Sequence, residues 1–100
     1  MVYEAGALDA TLAAAAGDDP ALFRELRAAF VESLARQLDL LRRARCDGNW
    51  HVTAMRLRGL GASFNAEPLL ALAAEALEAA PGDPVIVRKI QLFLDEFSAS

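Results

Sequence analysis

Residues 51–66 read HVTAMRLRGLGASFNA, and the way this stretch sorts onto a helix decides the fold. At about 100° per residue, Trp50 just before it and Ala54, Leu57, Gly61 and Phe64 within it fall on one narrow stripe, the pattern of a helix with a single buried face. His51, Met55, Arg58 and Ala62 form a second stripe, turned away from the first by about 80 to 140°. Gly59 lies beside Met55, one turn further on, so the second stripe is expected to face outward. Its composition is unusual for a solvated face. Gly59 and Gly61 each cost about 1 kcal/mol of helix propensity relative to alanine. Gly61, on the inner stripe, has a packing reason, because it lets a neighbouring helix approach closely. Gly59 has no such reason within the chain, and bare backbone there is what a docking partner needs. Met55, exposed and flexible, also suits a binding surface.

Punctuation on both sides of this stretch divides the chain into helices. Asp19-Pro20 and Asp83-Pro84 are helix starts, the aspartate accepting from free backbone N–H groups and the proline losing no needed donor at the first position. Gly17 and Gly82 end the segments before them. Glu67-Pro68 resembles the same device with a poorer cap, and Asp47-Gly48-Asn49 reads as a glycine stop followed by an asparagine start. The spacing predicts a short helix near 7–16 and longer ones near 20–46, 50–65, 68–80 and 84–98, with no strand. The long second helix is expected to bury Leu22, Leu26, Phe30, Leu34 or Ser33, Leu38 or Gln37, and Leu41. The fourth offers Leu69, Leu70, Ala73, Leu77 and Ala80, and the fifth Val85, Ile86, Ile90, Phe93, Leu94 and Phe97. Four long segments with short connections imply an all-α protein, an antiparallel up-and-down four-helix bundle with the short N-terminal helix packed as a lid.

Composition sets the outer limits. The 100 residues make one domain, residues 1–100, with 55% hydrophobic and 24% charged residues, enough apolar surface for a core. The apolar run LLALAAEALEAA at 69–80 is broken by Glu75 and Glu78, and nothing reaches the roughly 18 to 20 residues of a membrane span. No basic cluster leads into an apolar segment near residue 1, so no signal peptide is expected and a cytoplasmic location is. A single cysteine, Cys46, and a single histidine, His51, provide neither an internal disulfide nor a multi-histidine metal site, and no cofactor is expected. The net charge of −4 argues against nucleic acid as a partner. Yet residues 36–58 hold Arg36, Arg42, Arg43, Arg45, Arg56 and Arg58 against Asp39 and Asp47, a local +4 that leaves −8 on the rest of the chain. The trio at 42, 43 and 45 is read as favourable charge at a helix C-terminus.

MRLRGLGASFNAEPLLALA, residues 55–73, resembles the signature of histidine-containing phosphotransfer (HPt) domains, the four-helix-bundle carriers of bacterial two-component phosphorelays. Their motif runs His-x-Leu-Lys-Gly, then small residues, then a hydrophobic residue and Gly-Ala before a leucine-rich helix. Without a gap, Leu57 matches the motif leucine, Arg58 the lysine, Gly59 the glycine, Ala62 a small position, Phe64 the hydrophobic position and Asn65 the second glycine, with Ala66 and Leu69 following. DDPALFRELRAAFVESLARQLDLLRRA, residues 18–44, resembles the family's long second helix, and Asn49-Trp50 its Asp-Trp helix start. The likeness spans nearly the whole chain.

The departures bear on function. Met55 stands at the phospho-accepting histidine, and a thioether has no ring nitrogen to attack an aspartyl phosphate. Arg58 keeps a cation where the motif has lysine, in a forked form suited to phosphate or carboxylate. The resemblance implies a degenerate HPt-like protein that docks a response-regulator receiver domain or a histidine kinase, no membrane or nucleic acid being involved. The expected partner-binding face is His51, Val52, Met55, Arg58, Gly59 and Ala62. Two alternatives stay open. His51, one turn before Met55 and about 5.4 Å away along the axis, could serve as a displaced acceptor. The chain could instead be a helical dimerisation or scaffold module with Met55 and Leu60 at a subunit contact, although Leu60 and Phe64 read first as core.

Overall fold

A computed structural model describes residues 5–99, with side chains from Leu8 onward; residues 1–4 and 100 of the expected single domain lie outside the described residues. Five helices follow one another: α1 Ala5–Ala16, α2 Pro20–Arg43, α3 Asp47–Ser63, α4 Glu67–Glu78 and α5 Pro84–Ala99, with no strand among the described residues. None of these helices is long and apolar enough to cross a membrane. The fold is an all-helical bundle. α3 packs on α2 and α4, α5 packs on the same two, and α1 lies against α2.

The Asp-Pro starts work as read from the sequence. Asp19 Oδ1 accepts from the Ala21 and Leu22 N–H groups at 3.0 and 3.2 Å, and Asp83 Oδ1 accepts from Val85 N–H at 2.8 Å. Gly17 and Gly82 take the left-handed conformation (φ 66° and 83°) in the turns before them. Asn65 does the same at φ 54° after α3. Around it the Ala66 N–H donates to Gly61 O at 2.8 Å and the Asn65 N–H to Ala62 O at 3.3 Å, a Schellman closure in which asparagine takes the place more often given to glycine.

Several boundaries differ from the sequence expectation; α1 begins at Ala5 rather than near 7 and α3 ends at Ser63 rather than near 65. α2 ends at Arg43 rather than near 46, where Ala44 turns extended and the Arg45 guanidinium reaches back to the Arg42 carbonyl at 3.2 Å. α3 then begins at Asp47 with Cys46 as a cap that makes no side-chain bond. Gly48 and Asn49 therefore lie inside the first turn, not at a stop and a start. Asp47 beside the free N–H groups compensates for the missing cap through the helix dipole. α4 starts from Ala66 with Glu67 already helical, and ends at Glu78 rather than near 80, because Pro81 pushes Ala80 out of helical conformation.

The core runs through every helix. Phe30 is fully buried and meets the Phe64 and Phe97 rings edge-on, with centroids 5.0 and 5.4 Å apart. Leu34 and Leu38 are the buried alternatives on α2, with Ser33 and Gln37 half-buried beside them. Leu22, Val85 and Ala80, expected inside, are exposed. Leu22 and Val85 sit in first turns off the buried stripe, and Ala80 follows the end of its helix. α1 packs against α2 and sends Leu8 and Leu12 into the common core, with Ala16 buried at its end. Arg27 ties that side together. Its Nη2 donates to the Phe97 carbonyl at 2.6 Å, its guanidinium carbon lies 4.2 Å from the Phe97 ring centre, and its Nε is 3.7 Å from Asp9.

α3 is held to α4 by Trp50, which is buried and donates its indole N–H to the Ala76 carbonyl at 2.8 Å. Trp50→Phe keeps most of the apolar burial and removes the donor. It is expected to cost about 1–2 kcal/mol, read as a lower urea midpoint at unchanged slope; an unchanged midpoint would mean that the indole bond adds nothing to packing.

Candidate functional site

With Trp50 turned inward, the rotation of α3 is set. Ala54, Leu57 and Gly61 are buried on the Trp50 side, and Phe64, just past the helix end, is half-buried against Phe30. A β-carbon added at Gly61 would stand 3.1 Å from the Leu70 backbone nitrogen and 3.2 Å from its Cγ, so any side chain there would force α4 back by a few tenths of an ångström. Thr53 also joins the buried side, which the sequence reading missed. Its hydroxyl donates to the Asn49 carbonyl at 2.8 Å, one turn back, and this hides its polarity from the core.

His51, Val52, Met55, Arg58, Gly59 and Ala62 are all exposed and share the opposite face, spanning about 120° of the helix circumference. Val52 and Met55 are among the chain's exposed large apolar side chains, at 47% and 36% exposure. A β-carbon at Gly59 would meet nothing within 4 Å, so this glycine relieves no crowding inside the protein. The face thus has an apolar centre of Val52, Met55, Gly59 and Ala62. Arg56 and Arg58 stand about 160° apart around the helix, one at either edge. Leu60 is half-buried and packs on the core.

The arginines divide into two groups. Arg42 donates to Gln91 Oε1 at 2.7 Å, Arg45 closes the end of α2 as described, and Arg43 pairs with Asp39 at 2.9 Å one turn earlier. These serve the C-terminal end of α2, as the sequence reading held. Arg36, Arg56 and Arg58 make no hydrogen bond or ion pair among the described residues. Between the two groups lies a cleft of about 400 Å³ where the end of α2 meets the start of α3, lined by Leu40, Arg43, Ala44, Asn49, Val52, Thr53 and Arg56. Sequence reasoning flagged the arginine density there but not the cleft, whose walls come from two helices.

In chemical terms the face can bind but carries little reactivity. Met55 has no nucleophilic or acid–base group, His51 is exposed near the helix start, and among the described residues no three His, Cys, Asp or Glu side chains gather as a metal site. No family model, curated protein or solved structure matches this chain.

The two glycines make opposite predictions. Gly59→Ala is expected to stabilise the protein by up to about 1 kcal/mol, the helix-propensity gain alone. Gly61→Ala is expected to destabilise it by about 1–3 kcal/mol, since overpacking outweighs the same gain. Urea denaturation of both measures the pair, and shifts of the same sign would mean that the inner and outer faces of α3 are misassigned.

Proposed function

We propose that this chain is an HPt-like protein of two-component signalling that docks a receiver domain or a histidine kinase through the outer face of α3, without carrying a phosphoryl group at Met55. The observation that carries the reading is an exposed helix face that pairs an unexplained Gly59, open in front, with Met55 at the position of the accepting histidine.

Three further features support it. The contacts favour an antiparallel four-helix arrangement of α2 to α5. Phe30 meets Phe64 while Leu40 and Ala44 border Asn49 and Thr53, so α3 runs back along α2. Trp50 reaches Ala76 while Gly61 faces Leu70, Arg27 reaches Phe97 while Arg42 reaches Gln91, and Lys89 pairs with Glu75 while Pro68 and Glu96 share a groove; each pair of helices follows the same sense. Secondly, Asn65, aligned with the second motif glycine, has the positive φ that explains a glycine there. Thirdly, the α3 face offers an apolar centre with cations at its edges, the make-up of a surface that buries a partner and orients it by charge.

The test is calorimetric titration of the source cell's receiver domains and histidine kinases into the wild-type protein, Gly59→Glu and His51→Ala. Saturable binding by at least one is expected, weakened about tenfold or more (~1.4 kcal/mol) by Gly59→Glu and unaffected by His51→Ala. Binding indifferent to Gly59→Glu would remove the face from the reading. An acid-labile phosphate on the wild type that vanishes in His51→Ala would replace it with phosphotransfer through His51.

A further inference from the structure

We propose that the cleft between α2 and α3 seats an acidic side chain, aspartate or glutamate, projecting from the protein docked on α3. This rests on the docking reading above and names the charge that its partner must present.

The donor set points to a carboxylate. Arg43 and Arg56 stand on the two walls, the Asn49 side chain adds an amide, and none of the lining residues is acidic. Arg56 has no hydrogen bond or ion pair among the described residues, so its fork is available. Arg43 is held by Asp39, but the two side chains are 65% and 55% exposed, and an ion pair so open to water rearranges readily. The Thr53 hydroxyl donates to Asn49 O, which leaves the recognition of an incoming oxygen to the arginines and the amide. Arg42 and Arg45, also basic and nearby, are bound to Gln91 and to the Arg42 carbonyl, so the charge is concentrated at Arg43 and Arg56.

Position and charge name the source. Val52 belongs both to the cleft and to the outer face of α3, so a partner covering Met55 and Gly59 reaches the cleft without a gap. Apart from residues 36–58 the chain carries −8, which disfavours a long polyanion such as nucleic acid and leaves a single side chain as the matching ligand. Leu40 and Ala44 on the α2 wall suit the methylenes of a glutamate or aspartate better than a bare inorganic anion.

The experiment is an NMR titration of the full chain at low ionic strength, following arginine Nε–Hε resonances. The probes are the peptide acetyl-Ala-Glu-Ala-Glu-Ala-amide, its glutamine analogue and inorganic phosphate. The glutamate peptide is expected to shift Arg43 and Arg56 saturably and leave Arg24 and Arg88 in place. Its affinity should fall about fivefold or more in Arg56→Gln. Equal shifts at all arginines, undiminished affinity in Arg56→Gln, equal binding of the glutamine peptide, or tighter binding of phosphate would each overturn the proposal. Titrating the same receivers and kinases into the wild-type chain separates the two ideas. A cleft that still takes the peptide while no receiver or kinase docks removes the docking reading alone, and a receiver that docks while the peptide is ignored removes the cleft alone.

Discussion

The burial of Trp50, with its indole N–H on the Ala76 carbonyl, is the constraint on which the rest of this structure turns. A helix packed by small and aliphatic side chains alone can rotate or slide at modest cost; one large ring with a single polar atom cannot, because rotation exposes the ring and leaves the N–H unpaired in the core. Gly61 supplies the second fixed point. Eleven residues on, about 16 Å along the axis, it lets the Leu70 backbone approach to a distance at which a β-carbon would be crowded. Two such points on α4, with Phe64 on Phe30 of α2, leave α3 only one rotation.

Everything on the outer side follows from that rotation. Val52, Met55 and Gly59 must face outward because Trp50, Ala54 and Leu57 face inward, and the two unpaired arginines at 56 and 58 fall on the edges for the same geometric reason. Gly59 relieves no crowding within the chain, and Val52 and Met55 stand partly exposed beside it, the features on which the proposed docking face rests. The same rotation brings Asn49, Thr53 and Arg56 against the end of α2 and forms the cleft.

What the sequence made legible was whatever a single helix determines. The stripes of α3 were readable because 3.6-residue periodicity separates Trp50 and Leu57 from Met55 and Arg58 without help from the rest of the chain. The Asp-Pro starts were readable because Asp19 and Asp83 act within one turn. The α2–α3 junction was not. Gly48 and Asn49 carry local signals for a stop and a start, but the chain satisfies the end of α2 with Arg45 and begins the next helix at Asp47, where Trp50 is already in its core position. The role of α1 was equally hidden, since its alanine-rich sequence shows no strong face and only the tertiary contacts of Leu8 and Leu12 bring it into the core. The cleft and the pairing of Arg27 with Phe97 join residues from different helices, a kind of proximity no single periodic pattern encodes.

The proposal is that the outer face of α3 docks a receiver or kinase with position 55 where an HPt protein presents its histidine. Met55→His in a His51→Ala background tests it most directly, because the side chain at 55 is exposed and the exchange disturbs no core contact. With a phosphorylated receiver domain that binds the wild-type chain, the account predicts an acid-labile phosphate on the double variant and none on His51→Ala alone. A double variant that binds the receiver as the wild type does, yet takes no phosphate, would contradict it.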